Sequence, residues 1–389
     1  MRMPDGHRRL AALLGSLTAL APLGVDLYLP AFPAMQDALA ASPAAIQRTL
    51  AAFLIGVAFG QLVFGPLSDR LGRRRPLLAG LAVFALASVG CALAASAEVL
   101  TWLRVMQAVG GCAGMVIARA VVRDVADERG AVRLMASLML VMGAAPILAP
   151  MLGSFLLALA GWRALFWALA AYGVATFLLT WLVLPESLAP ERRRRDGPGQ
   201  VLAVYLQILL DRRYLSYALA GAVPMVGLFA YLAGSPAALM GTHGLGPTQY
   251  GIAFGSNAFG LILASQVISR LVRRHEPARL LLTSLSACAA AALLVPVAVA
   301  TGGLWPLLAS LFLFMSIMGA VLPLASAQAM APMGRFAGSA SAVLGFIQFA
   351  GGAVVGTLMG AFGGGPWAMA AVVACAGVGG LAAHLVLKR

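Results

Sequence analysis

The stretch Gly60-Gln61-Leu62-Val63-Phe64-Gly65-Pro66-Leu67-Ser68-Asp69-Arg70-Leu71-Gly72-Arg73-Arg74-Arg75-Pro76 runs from an apolar segment into a basic turn. A degraded copy stands 200 positions on: Gly260 falls on Gly60, Arg270-Leu271 on Arg70-Leu71, and Arg273-Arg274 on Arg73-Arg74. At a shift of 203, Tyr28-Leu29 and Pro33 match Tyr231-Leu232 and Pro236. A basic loop shared once is weak evidence. The same motif after the second apolar segment of each half points to an internal duplication. Two homologous halves embedded in a membrane imply a pseudo-twofold axis along the membrane normal, with a site where the halves meet.

The rest of the chain has the composition of a lipid-embedded protein. Of 389 residues, 61% are hydrophobic and 10% charged, against about one-quarter charged in soluble domains. Most of it must therefore be solvated by lipid. At roughly 20 apolar residues per crossing, spans are predicted near 10–33, 46–68, 77–96, 99–121, 132–160 and 162–184. A second set is predicted near 213–235, 249–272, 278–300, 304–328, 335–362 and 366–387. This divides the chain into a bundle at 1–184, a long polar linker at 185–212 holding Arg192 to Arg195, and a second bundle at 213–389. The run from Leu10 to Pro33 is of spanning length and carries Asp26, so it reads as a retained helix and not a cleaved signal.

The net charge of +14 would suggest nucleic acid in a soluble protein, but its placement argues otherwise. Of the 27 basic residues, 24 fall in loops or at span ends on one side, from Arg2, Arg8 and Arg9 to Arg335, Lys388 and Arg389. Only Arg48 and Arg163 lie on the other side, and Arg104 lies within a span. The positive-inside rule puts the basic side and both termini in the cytoplasm. The excess charge serves topology and faces lipid headgroups. Cys91, Cys112, Cys288 and Cys375 lie in apolar stretches without metal-ligand spacing, so neither a disulfide nor a metal site is expected.

Gly65 to Pro76 resembles the cytoplasmic loop signature of the major facilitator superfamily. Asp26-Leu27-Tyr28-Leu29-Pro30-Ala31-Phe32-Pro33 in the first span resembles the twelve-span drug:proton antiporters of the Bcr/CflA type, associated with bicyclomycin and chloramphenicol resistance. The resemblance implies an all-α membrane fold of twelve helices in two pseudo-symmetric six-helix bundles. It also implies proton-coupled export of small drug-like molecules such as phenicols or bicyclomycin from a bacterial inner membrane. A proton-coupled metabolite or dipeptide transporter on the same fold is the alternative. In the loop, Gly65 is expected to let helices approach and Gly72 to permit a tight turn. Arg70 and Arg74, with these glycines, are expected to belong to the conformational latch. By the resemblance, Asp69, Arg73 and Asp124 form a charge relay that latches one access state. The second copy, with Ser269 and Val272, lacks the latch. Gly143, Pro146, Pro150 and Gly153 in span 5 resemble a degraded antiporter motif that bends against span 8. An ordinary Pro-kinked helix explains them equally well.

Asp26 is the one acid well inside a span and Arg104 the one base. Each costs about 2.5–3.5 kcal/mol at a helix centre, so each should face a cavity or a partner. At 1.5 Å per residue, Asp26 stands about 24 Å up helix 1 and Arg104 about 9 Å below the outer end of helix 4, at similar depth. Gln107 lies one turn inward from Arg104 on the same face. The pair is expected to form a nearly electroneutral site for neutral or zwitterionic compounds, with Asp26 carrying the proton, or else a structural ion pair. Tyr28, Tyr231, Asn257, Gln328 and Gln348 are further candidates for the cavity, with interhelical hydrogen bonding as their plain alternative. No nucleophile–base set, metal cluster or GxxxxGK[ST] loop is present, which argues against an enzyme or an ATP-driven pump. No cofactor is expected, and the partners are a small molecule, protons and lipid, in a monomeric protein.

Overall fold

The computed structural model describes residues 5–125, 128–193, 197–333, 336–362 and 365–387. Arg2, Arg194, Arg195, Arg335, Lys388 and Arg389 lie outside the described residues, as do the side chains of Gly143 and Pro146. Among the described residues the chain is almost wholly helical, with short connections and no strand. Helix α1 (Asp5–Asp26) is followed by a 3-10 turn (Leu29–Ala31) and the short α2 (Phe32–Ala38). Then come α3 (Pro43–Leu71), α4 (Arg74–Leu93), α5 (Ala97–Val125), α6 (Glu128–Ala160) and α7 (Trp162–Val183). After α8 (Pro198–Leu210), the second half comprises α9 (Arg212–Ser235), a π turn (Pro236–Thr242), α10 (Pro247–Leu271), α11 (Pro277–Thr301), α12 (Leu304–Met330), α13 (Ala337–Ala361) and α14 (Gly365–Leu387).

Among the described residues, eleven segments are long and apolar enough to cross a membrane, with mean hydropathy of 1.5 to 2.3 in their most apolar stretches. The twelfth crossing is α6, 33 residues long, whose described apolar part is Leu148–Ala160. Leu86, Trp102, Leu159, Leu182 and Trp305 turn outward and are at least half exposed, as side chains facing acyl chains do. Within the first half, α5 packs against α1, α3 and α4, while α9 and α14 centre the second half. The halves meet chiefly along two pairs: α3 against α13, and α6 against α10. These are spans 2 with 11 and 5 with 8. A twofold relation that carries span 2 onto 8 and 5 onto 11 interchanges the two pairs.

Two expectations need correction. The first span was expected to be one helix over 10–33, yet the helix stops at Asp26. Pro30 and Pro33 have no N–H to donate to the carbonyls of Asp26 and Leu29, and Pro30 disfavours helical backbone at Leu29. The linker expected at 185–212 is not simply polar, because it holds α8. Tyr205 and Ile208 of α8 are buried against α9 and α13, and the Tyr205 hydroxyl donates to the Leu62 carbonyl across the seam (3.0 Å).

Candidate functional site

The break in helix 1 is held from two sides. A Cβ at Gly153 of α6 would overlap the Leu27 carbonyl, so the two backbones are in direct contact there. On the other side, Arg104 Nη2 of α5 donates to the Gly24 carbonyl (2.7 Å), an oxygen that the interrupted helix leaves without its own partner. The guanidinium is fully buried between the rings of Tyr28 and Phe53, 4.2 and 4.1 Å from their centroids. Its Nη1 donates to Gln107, whose Nε2 donates to Ser88 Oγ (2.7 Å). The Tyr28 hydroxyl shares a hydrogen bond with Thr49 (3.2 Å).

Asp26 faces the other way. Residues two apart on a helix are about 200° apart in direction, so Gly24 and Asp26 address opposite sides of α1. Asp26 is 5% exposed and lines a cavity of about 190 Å³ between the halves, level with Val57 at the middle of α3. No hydrogen bond or ion pair reaches its carboxylate among the described residues. The facing wall is apolar and aromatic: Tyr231, Phe254, Met315 and Phe349, with Leu54 and Met115 from the first half. Tyr231 stacks on Phe254 at 5.5 Å, and its hydroxyl accepts from Asn257 Nδ2 (2.8 Å).

The expected joint site of Asp26 and Arg104 is therefore not formed. Arg104, Gln107 and Tyr28 stand behind helix 1 and do not line the cavity. Gln328 is corrected as well: its amide donates to the Pro277 carbonyl (3.2 Å), away from the cavity. Gln348 donates to Ser326 Oγ (3.2 Å) and is not on the cavity wall. Of the eight residues proposed for binding, the structure places Asp26 and Tyr231 on the wall, with Asn257 supporting Tyr231. Phe254, Met315 and Phe349 were not singled out, because an aromatic or Met in a span looks the same whether it faces lipid or cavity.

At the arginine-rich end, the loop residues close into a cluster. Arg73 Nε donates to Asp124 Oδ2 (2.8 Å), and its Nη1 contacts Asp69 and donates to Ser68 Oγ (3.0 Å). Burial alone would lower the Arg73 pKa, but hydrogen bonds to Asp124 and Asp69 outweigh it and hold the pKa above the ordinary value. Glu186, which the sequence did not bring to notice, accepts from the backbone N–H groups of Arg73 (2.8 Å), Arg74 (3.3 Å) and Leu188 (3.0 Å). Burial pushes its pKa up, but these bonds and the Arg193 charge bring it below the usual carboxylate range. Gly72 sits at φ 92°, and a Cβ there would collide with the Glu186 carboxylate. The Arg74 side chain donates to the Trp181 carbonyl (2.6 Å), whereas Arg70 is exposed. Gly65 does not serve a close helix approach, since a Cβ there would meet nothing within 4 Å. Span 5 meets span 8 where Ser154 Oγ donates across to the Pro247 carbonyl (2.8 Å) and Pro150 lies beside Gly251.

Twelve crossing helices in two facing bundles, with a cavity at mid-depth between them, define a multi-pass membrane transporter. The chain belongs to the Major Facilitator Superfamily, which it matches over residues 14–356. It is 38% identical to the uncharacterized MFS-type transporter YdgK of Bacillus subtilis, over 92% of this chain and 90% of that one. It is 30% identical to the bicyclomycin resistance protein homolog of Haemophilus influenzae, over 89% of this chain and 87% of that one. It is 32% identical to a chloramphenicol resistance protein of Pseudomonas aeruginosa, over 84% of this chain and 76% of that one.

Proposed function

We infer that the protein is a proton-coupled exporter of small, hydrogen-bonding, drug-like molecules, working by alternating access with Asp26 as the group for which proton and substrate compete. The observation that carries this reading is the isolation of Asp26: among the described residues it is the one charged group on the cavity wall, and no cation or donor there reaches it. A carboxylate so placed has two ways to be compensated, a proton or a donor group on a bound molecule. Binding one disfavours the other, which is the exchange that antiport requires.

Because Arg104 is withheld from the cavity, the site is not electroneutral. That favours molecules presenting hydroxyl or amide N–H donors to Asp26 while an aromatic or compact apolar body meets Phe254, Met315 and Phe349. The drug names carried by two relatives, bicyclomycin and chloramphenicol, support this class. One inward proton per neutral molecule at about 100 mV supplies about 2.3 kcal/mol, enough at about 1.4 kcal/mol per decade for roughly a forty-fold gradient. The distribution of arginines supports a bacterial inner membrane location with both termini in the cytoplasm.

The test is a susceptibility panel of phenicols, bicyclomycin, dyes and dipeptides in a host lacking its own pumps, together with substrate-induced proton release from purified protein. The expected result is resistance to a neutral donor-bearing compound, with one proton released on its binding and none from Asp26→Asn. Unchanged proton release from Asp26→Asn would overturn the coupling role. Wild-type protein that protects against nothing on the panel would shift the substrate to a metabolite.

A further inference from the structure

A second cavity, of about 250 Å³, lies between the halves at the arginine-rich end. The first half contributes Gln61, Arg119 and Arg123, and the second half contributes Gly338 and Ser339 in the first turn of α13, with Ser341 just beyond it. It shares no lining residue with the Asp26 cavity.

The groups left over in this cavity are donors. Gln61 is 5% exposed and lines the wall, yet its amide makes no hydrogen bond among the described residues. Arg119 uses its Nε on the Met115 carbonyl (3.2 Å), and no acid pairs with Arg119 or Arg123 among the described residues. Asp69, the acid on the wall, is taken by Arg73. The opening turn of α13 adds N–H groups that have no partner inside their own helix, at the positive end of its dipole. Two guanidinium groups, a helix start and a buried amide therefore converge on a space whose one lining acid, Asp69, is paired with Arg73, which is the donor pattern that binds oxyanions.

We propose that this cavity is a binding site for an oxyanion, a phosphate or carboxylate group, held jointly by Arg119, Arg123 and Gln61 of the first half and the first turn of α13 in the second. Because its ligands come from both halves, a bound anion favours the state in which these ends are together. The oxyanion can come from solution or from a phospholipid headgroup, and the experiment separates the two.

Thermal unfolding of the purified full-length protein in neutral detergent would be followed against inorganic phosphate at constant ionic strength. A parallel titration would use dioctanoyl phosphatidic acid, with dioctanoyl phosphatidylcholine as the control. A saturable rise in midpoint is expected. Phosphate producing it assigns a dissolved anion, and phosphatidic acid alone producing it assigns a headgroup. Arg123→Gln, at an exposed position where folding is not at stake, should weaken the apparent affinity about tenfold or more by loss of one charge-assisted contact. Gln61→Leu should weaken it less. No saturable shift with either probe, or equal affinity in wild type, Arg123→Gln and Gln61→Leu, overturns the proposal.

Discussion

In the first half, the turn after α3 closes on Arg73, whose side chain and backbone are held by Asp69, Asp124 and Glu186. In the second half, the end of α10 and the turn after it carry the same arginines, Arg270, Arg273 and Arg274, but leave them in the open. Ser269, in the place of Asp69, bonds only to its own helix at the Gln266 carbonyl (2.7 Å). From 213 to 389 the chain has one acid, Glu276, and that residue pairs with Arg279 on an exposed surface (3.1 Å). The duplication kept the arginines in both halves, where loop topology needs them. The acids that hold Arg73 stand in the first half alone. The cavity follows the same division, with a carboxylate from α1 facing aromatic and apolar side chains from α9, α10, α12 and α13.

The largest effect should come from removing the charge that the second half cannot replace. Asp26→Asn keeps the shape of the cavity but gives its wall a group that neither loads nor releases a proton. Proteoliposomes with an imposed membrane potential of about 100 mV should then accumulate no substrate above background, against the roughly forty-fold expected of one proton per molecule. Equilibrium binding should survive. Accumulation at the wild-type level would move the coupling away from Asp26.

Next in size is Arg104→Ala. It leaves the Gly24 carbonyl and Gln107 without their donor, each costing about 1–3 kcal/mol when buried, and removes a cation between two rings worth about 2 kcal/mol. Relief of an unpaired buried charge offsets part of this. The expectation is a lower unfolding midpoint and weaker substrate binding, caused by loss of the helix 1 break geometry. Substrate-induced proton release per bound molecule should remain as in wild type, because Asp26 is untouched. A change in that stoichiometry, with the midpoint unmoved, would put Arg104 in the coupling step itself.

These two variants also mark where sequence reading stopped. Hydropathy and spacing located the crossings, the repeat, the arginine-rich loops and the isolated charges Asp26 and Arg104, because a charge in a span stands out against its neighbours. The i, i+3 spacing also placed Gln107 beside Arg104. Linear depth put Asp26 and Arg104 at one level but carries no information on azimuth, and azimuth decides which faces the cavity. The end of helix 1 at Asp26 was hidden because Leu27 to Phe32 stay apolar through the break. Glu186 was missed because it lies in what reads as linker, and its partners are backbone N–H groups that no side-chain motif records. Gly65 misled in the opposite direction, since a glycine in a motif suggested a contact that the helices do not make.

A smaller effect is expected at Glu186, and pH reads it. Its folded pKa lies below the ordinary value, so its contribution is present above the usual glutamate range and is lost as pH falls through the depressed folded value. Glu186→Gln should therefore lower the unfolding midpoint near pH 7, by on the order of 1–2 °C for a partly exposed carboxylate. The two proteins should converge as the solution is made acid. A difference that persists undiminished at low pH would mean that shape, not charge, holds this turn.

The smallest effect, and the sharpest on the difference between the halves, is expected of Ser269→Asp. The substitution restores to the second copy the acid that its first-half counterpart has at Asp69. A residue in an exposed turn with solvated arginines around it changes stability by about 0.5 kcal/mol or less, and a surface ion pair adds 0–1 kcal/mol at most. What the new carboxylate lacks is the rest of the cluster. In the first half, Arg73 is held from a second helix by Asp124 and from the chain after α7 by Glu186. No acid stands anywhere after Glu276 to play either part. Transport and the unfolding midpoint of Ser269→Asp should match wild type, while Asp69→Asn, measured beside it, should slow transport in a protein that still folds. If Ser269→Asp alone changes the transport rate, a single loop acid is enough to bias the access states. The role assigned to Asp124 and Glu186 would then have to be given up.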